Sequence, residues 1–174
     1  MSNILLVCYS RTGNTRLVAD ELTQLTGWPL ALIRDSKPRA GASGDWRCML
    51  DAWLRSRPDY LYEGPTLERF DHIVLLTPVW MKGLAAPLRS FLADHDLSSK
   101  RISVICTQGG RGGFNAAEEI ATLTRQVPSP VQILLQSEVL SGLSPQRLED
   151  FVVQVLASTT YQRCLLYTSD AADE

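Results

Sequence analysis

Five short apolar runs alternate along this chain with stretches of helical spacing, and that alternation most limits the fold it can adopt. The runs lie at residues 3–8, 29–33, 72–76, 101–106 and 131–135. They are close to continuously apolar, the pattern of strands covered on both faces. Val18, Leu22 and Leu25 mark a helix after the first run, and Leu88, Phe91 and Leu92 mark another over residues 86–93. Residues 114–127 predict a third helix, ended by Pro128, and residues 146–156 a last one. Together these elements predict an α/β three-layer sandwich on a five-stranded parallel sheet. At 174 residues the chain is the size of one domain.

Residues 34–70 are the irregular part. Residues 37–44 read as loop, and Asp45 caps a helix whose apolar stripe is Trp46, Met49, Leu50, Trp53 and Leu54. Pro58 ends it, and a second loop runs to Pro65. The stripe either docks on the sheet or offers a partner surface.

Composition narrows the function classes. No apolar run reaches the ~20 residues that a membrane-spanning helix needs, and the opening run is too short and lacks a basic leader for a signal peptide. Cys8, Cys48, Cys106 and Cys164 are scattered without a CxxC pair, which suits reduced thiols in a cytoplasmic protein and predicts no metal site. Residues 164–174 resemble the translation of a sequencing-library adapter, so the native domain is expected over 1–163; the alternative is a genuine acidic tail. The whole chain carries a net charge of −2; without that tail it has 17 basic against 16 acidic side chains. Such a balance favours neither nucleic acid nor a strongly steered partner.

The chemistry concentrates between the first strand and the first helix, at Ser10, Arg11, Thr12, Gly13, Asn14 and Thr15. Free backbone N–H groups and the helix dipole make such a terminus an anion site, and three hydroxyls stand ready to donate further bonds. Gly13 lets the backbone come close to the anion. No basic side chain is required, so the loop suits a terminal phosphate monoester.

At these residues the chain resembles the flavodoxin family, whose FMN-phosphate loop has this hydroxyl-x-Thr-Gly-Asn-Thr form. Two further loops agree: Thr77, Pro78, Val79, Trp80, Met81, Lys82 and Gly83 resemble that family's first flavin-ring loop. Thr107, Gln108, Gly109, Gly110, Arg111, Gly112 and Gly113 resemble the second. The resemblance spans essentially residues 3–160 and implies the flavodoxin-like strand order 2-1-3-4-5. All three loops follow strands, where open α/β sheets bind ligands. By resemblance, Ser10, Thr12, Asn14 and Thr15, with the amides of residues 11–15, hold the phosphate of FMN. Pro78 and Val79 then lie near the ribityl chain, and Trp80 packs on the isoalloxazine. Backbone groups of residues 80–83 and 108–110 meet the ring's polar edge.

Competing motifs fail on particular residues. Low-molecular-weight tyrosine phosphatases place a Cys where Cys8 stands, but the Arg they need six positions on is Asn14 here. Response-regulator receivers need Asp at strand ends that carry Cys8–Tyr9 and Leu76–Thr77. There is no GxxxxGK[ST] loop, and Asn115 takes the third place of a GxGxxG near Gly110. His72 and His95 read as structural or solvated, because a flavin carries the redox chemistry itself. Two functions stay open: an NAD(P)H- or partner-dependent reductase of quinone-like or flavin substrates, or a non-enzymatic electron carrier serving a protein acceptor. Arg34, Lys37 and Arg39 are candidates to meet a dinucleotide phosphate.

Overall fold

The computed structural model describes residues 3–36, 57–142 and 145–170, with side chains as far as residue 158. The chain opens with β1 (Ile4–Tyr9), α1 (Asn14–Thr26) and β2 (Leu30–Asp35). Next come β3 (Tyr60–Glu63), a 3-10 turn at Leu67–Arg69, β4 (His72–Trp80) and β5 (Gly83–Leu84). Helix α2 (Ala86–Asp94), β6 (Arg101–Gln108), α3 (Gly113–Thr124) and β7 (Val131–Leu135) follow. Short α4 (Gln136–Leu140) and long α5 (Pro145–Asp170) complete it.

The sheet order is β3-β2-β1-β4-β6-β7, with β5 paired to β4 beside that path. Strands β2, β1, β4, β6 and β7 are parallel throughout. They stand in the predicted order, but a purely parallel five-stranded sheet is corrected to a mixed one of seven strands among the described residues. The first added strand, β3, pairs antiparallel with β2 in the segment expected to be loop before Pro65. Its side chains alternate: Tyr60 and Tyr62 turn inward and Leu61 and Glu63 outward. Both tyrosine rings pack on Phe91, at centroid distances of 6.0 and 5.5 Å. Four residues with an outward Leu carry too little periodicity to reveal such an edge strand. The second, β5, folds back on β4 through a two-residue turn.

Successive strand residues point to opposite faces, and each face has its own core. Leu5, Val7, Ile73, Leu75 and Val104 meet α2 and α3 at Leu88, Phe91, Ala116 and Ile120. Ile4, Leu6, Val74, Leu76 and Ile105 meet α1 and α5 at Val18, Leu22, Phe151 and Val155. This double burial is why the strands read as continuous apolar runs.

Several boundaries move. Strand β4 continues to Trp80 and so absorbs the first half of the expected ring loop. Leu25 of α1 is exposed rather than packed. Helix α3 stops at Thr124, where Arg125 turns left-handed, before Pro128 is reached. Helix α5 extends beyond residue 156 to Asp170, into the segment read as tail. The helix expected from Asp45 lies outside the described residues. No helix among those described is long and apolar enough to cross a membrane.

Candidate functional site

Because β1, β4 and β6 run parallel and adjacent, the segments that follow them open at one edge of the sheet. A cavity of about 250 Å³ lies where they converge. Thr12, Asn14 and Thr15 line it from the first loop, and Pro78, Val79 and Trp80 from the end of β4. Thr107, Gln108 and Gly109 close it from the end of β6. Gln136 of α4 joins them. Sequence reasoning missed that residue, whose only signal was its place directly after the fifth parallel strand.

The first loop ends on an open helix terminus. Gly13 is the N-cap of α1 at φ 94°, a left-handed conformation that glycine adopts freely, and it has no side chain to cap the helix. The N-terminal amides of α1 thus remain available to an anion. Close by in the chain, the Ser10 hydroxyl is buried without a hydrogen-bond partner. The start of α3 differs, because Gly113 N–H donates to Gln108 Oε1 at 2.8 Å.

Three contacts tie the loops together. Thr15 and Thr107 share a buried hydroxyl–hydroxyl bond of 2.7 Å, joining α1 to the end of β6. The Arg11 guanidinium lies over the Trp80 ring, 5.4 Å from its centroid, so the phosphate-type loop reaches the aromatic wall. Beneath the loops, the Cys8 thiol donates to Thr15 O at 3.8 Å and the Cys106 thiol to Gly113 O at 3.7 Å. Burial pushes both thiols up to about 12, so neither forms a thiolate near neutral pH. Cys8 is therefore no nucleophile.

Other expected site residues stand outside this cavity. Met81, Lys82 and Gly83 line a neighbouring one of about 720 Å³, beside Arg89 and Glu119. Gly113 lines a third of about 440 Å³ against β7, with Arg111 and Gly112. Thr77 is fully buried, its hydroxyl donating to Pro78 O at 3.1 Å. Ser10, Arg11, Gly13 and Gly110 do not line the cavity either. Around the ring-type loops, Met81 is 56% and Phe114 72% exposed, which leaves an apolar rim.

The histidines take no part. His72 is buried and hydrogen-bonds Ser103, and His95 stacks on Phe91 with Nδ1 2.9 Å from Phe91 O. Arg34 is paired with Glu63 across the β2–β3 edge at 2.8 Å. Lys37 and Arg39 lie outside the described residues.

The Flavodoxin family model matches residues 3–154. No curated protein matches the chain. Among solved structures, a candidate flavoprotein from Bacteroides eggerthii is 22% identical, with a TM-score of 0.68 over 83% of this chain and 97% of its own. A Lactobacillus acidophilus flavoprotein in complex with FMN is 17% identical, with a TM-score of 0.60 over 81% and 98%. Fusobacterium nucleatum flavodoxin bound to flavin mononucleotide is 11% identical, with a TM-score of 0.58 over 91% and 99%. At these identities the structural likeness concerns the fold.

Proposed function

Since this chain belongs to the flavodoxin family, we propose that it holds one FMN at the three-loop cavity and passes electrons through it. The observation that carries this reading is the uncapped N-terminus of α1 opening on a cavity walled by Trp80. The residues present fit the group. Thr12, Asn14 and Thr15 line the cavity, and the orphaned Ser10 hydroxyl and the amides of residues 11–15 belong to the same loop; such a set suits a terminal phosphate monoester without any added cation. FMN, rather than a dinucleotide flavin, ends in such a monoester.

When bound, FMN supplies the redox chemistry, and the protein supplies position and electrostatics. Trp80 offers an apolar wall, and the Arg11 guanidinium lies over that indole ring. Gln108, Gly109 and Gln136 bring polar groups to the cavity lining.

The finer reading is a reductase, driven by NAD(P)H or a partner protein, acting on quinone-like or flavin substrates. The near-neutral charge of residues 1–163 supports it over a strongly acidic carrier. The alternative, a flavodoxin-type carrier between two proteins, is favoured by the exposed Met81 and Phe114 at the rim, which suit transient docking. Scattered cysteines, with Cys8 and Cys106 buried as free thiols, support a cytoplasmic setting.

An FMN titration followed by an absorbance spectrum and a donor screen tests all of this. A yellow one-to-one complex supports the flavin reading. Tight riboflavin binding equal to that of FMN overturns the phosphate-loop assignment.

A further inference from the structure

The turn between β4 and β5 is built against the preference of its residues. Trp80 pairs with Gly83, leaving Met81 and Lys82 as a two-residue turn. Their φ angles are 47° and 62°, both left-handed. Asn and Gly normally fill such turns, because a side chain there crowds its own backbone. A strained conformation of this kind persists only when its surroundings hold it in place.

Two holds are visible. Arg89 of α2 and Glu119 of α3 form a buried ion pair with side chains 5% and 16% exposed. The pair grips both backbone groups of Leu84: Arg89 Nη2 donates to Leu84 O at 3.0 Å, and Leu84 N–H donates to Glu119 Oε2 at 3.4 Å. Gly112 also presses on the turn, so closely that a Cβ there would come 2.4 Å from Lys82 Cα. Helices α2 and α3 thereby fix a hairpin whose other strand ends in Val79 and Trp80, two walls of the three-loop cavity.

We propose that Arg89 and Glu119 are positioning residues that set the β4–β5 hairpin, and with it the ring-binding wall of the cavity. The inference rests on the flavin reading only for its second consequence. The first is mechanical: without the pair, the Met81–Lys82 turn relaxes and the wall loses its fixed place.

Two variants test it, each measured with and without flavin. Glu119→Gln removes the carboxylate charge that faces the buried Arg89 guanidinium and so also lowers global stability. The double variant Arg89→Met with Glu119→Leu replaces the pair by apolar groups of similar volume, a change that proteins commonly tolerate. In the double variant, amide hydrogen exchange is expected to quicken about tenfold or more at residues 82–84 while the core strands keep their protection. FMN and riboflavin affinities are expected to fall together by about tenfold, so their ratio is unchanged and the phosphate loop is intact. A folded double variant with native exchange at residues 82–84 overturns the proposal. So does native affinity for both flavins in that variant. If the unaltered protein binds no flavin, the functional reading fails and the exchange experiment still decides the hairpin.

Discussion

Thr15 and Thr107, 92 residues apart, share a hydrogen bond of 2.7 Å in which either hydroxyl can donate. Both are nearly fully buried, at 1% and 4% exposure. The bond sets the first turn of α1 against the end of β6, and so registers the phosphate-type loop with the second ring-type loop.

Thr15→Val in the flavin-free protein is expected to cost about 1–3 kcal/mol, because it strands the Thr107 hydroxyl in the interior. Thr15→Val combined with Thr107→Val removes both polar groups and is expected to lose less than the sum of the single changes. Urea unfolding of the three variants measures this. Strictly additive losses would mean that the two hydroxyls do not interact.

Thr12 lines the cavity from the loop that ends on the open helix terminus. Thr12→Val removes a bond to a charged phosphate worth roughly 1.5–3 kcal/mol, which is about a ten- to hundredfold loss of FMN affinity. Riboflavin lacks the phosphate and is expected to be indifferent to the change. Fluorescence titration of both flavins separates the phosphate contribution from that of the ring.

His72 makes the fold sensitive to mild acid. Ser103 gives its proton to Ser129 O at 2.9 Å, so it must accept from His72 Nε2–H at 2.7 Å. Nδ1 is buried without a partner, and the ring is held neutral. Burial, with the nearby Arg101 adding to it, lowers the imidazole from 6.5 to about 4. Above the unfolded value both states are neutral and the stability is fully present. Between 6.5 and about 4 only the unfolded chain takes up the proton, so stability falls as pH falls, by about 3 kcal/mol in all. Thermal melts from pH 7 to 4 should show this slope, and His72→Gln should flatten it.

FMN-loaded protein is expected to oxidise NADH or NADPH with a quinone as acceptor. Charge reversal of Lys37 and Arg39 is expected to raise KM for the nucleotide and leave FMN affinity intact. Arg34, already paired with Glu63, is expected to contribute little to that effect. A protein that binds FMN, cycles with dithionite and ignores both nucleotides is a carrier.

Deleting residues 164–174 is expected to leave Tm and FMN affinity unchanged. The α5 residues that pack on the sheet, Leu148, Phe151 and Val155, all precede that segment. A drop in either quantity would make the segment part of the native structure.

The parallel sheet and the phosphate-type loop were legible in the chain itself. Strands such as Ile4–Tyr9 and the core of β4 are covered on two faces, and double burial writes itself locally as an apolar run. Gly13 and its hydroxyl neighbours are likewise contiguous, so the open helix terminus could be read without knowing what lies opposite. The rest depends on partners distant in sequence. Tyr60 and Tyr62 become strand residues because Phe91 is there to receive them. Gln136 enters the cavity because β7 lies beside β6. Met81 and Lys82 take left-handed angles that their residue types disfavour, with Leu84 held by Arg89 and Glu119 and Gly112 packed on the turn. Local propensity records what a residue prefers alone, and periodicity records which face is covered. Neither records a contact between segments 30 or 90 residues apart, which exists only once the sheet has brought them together.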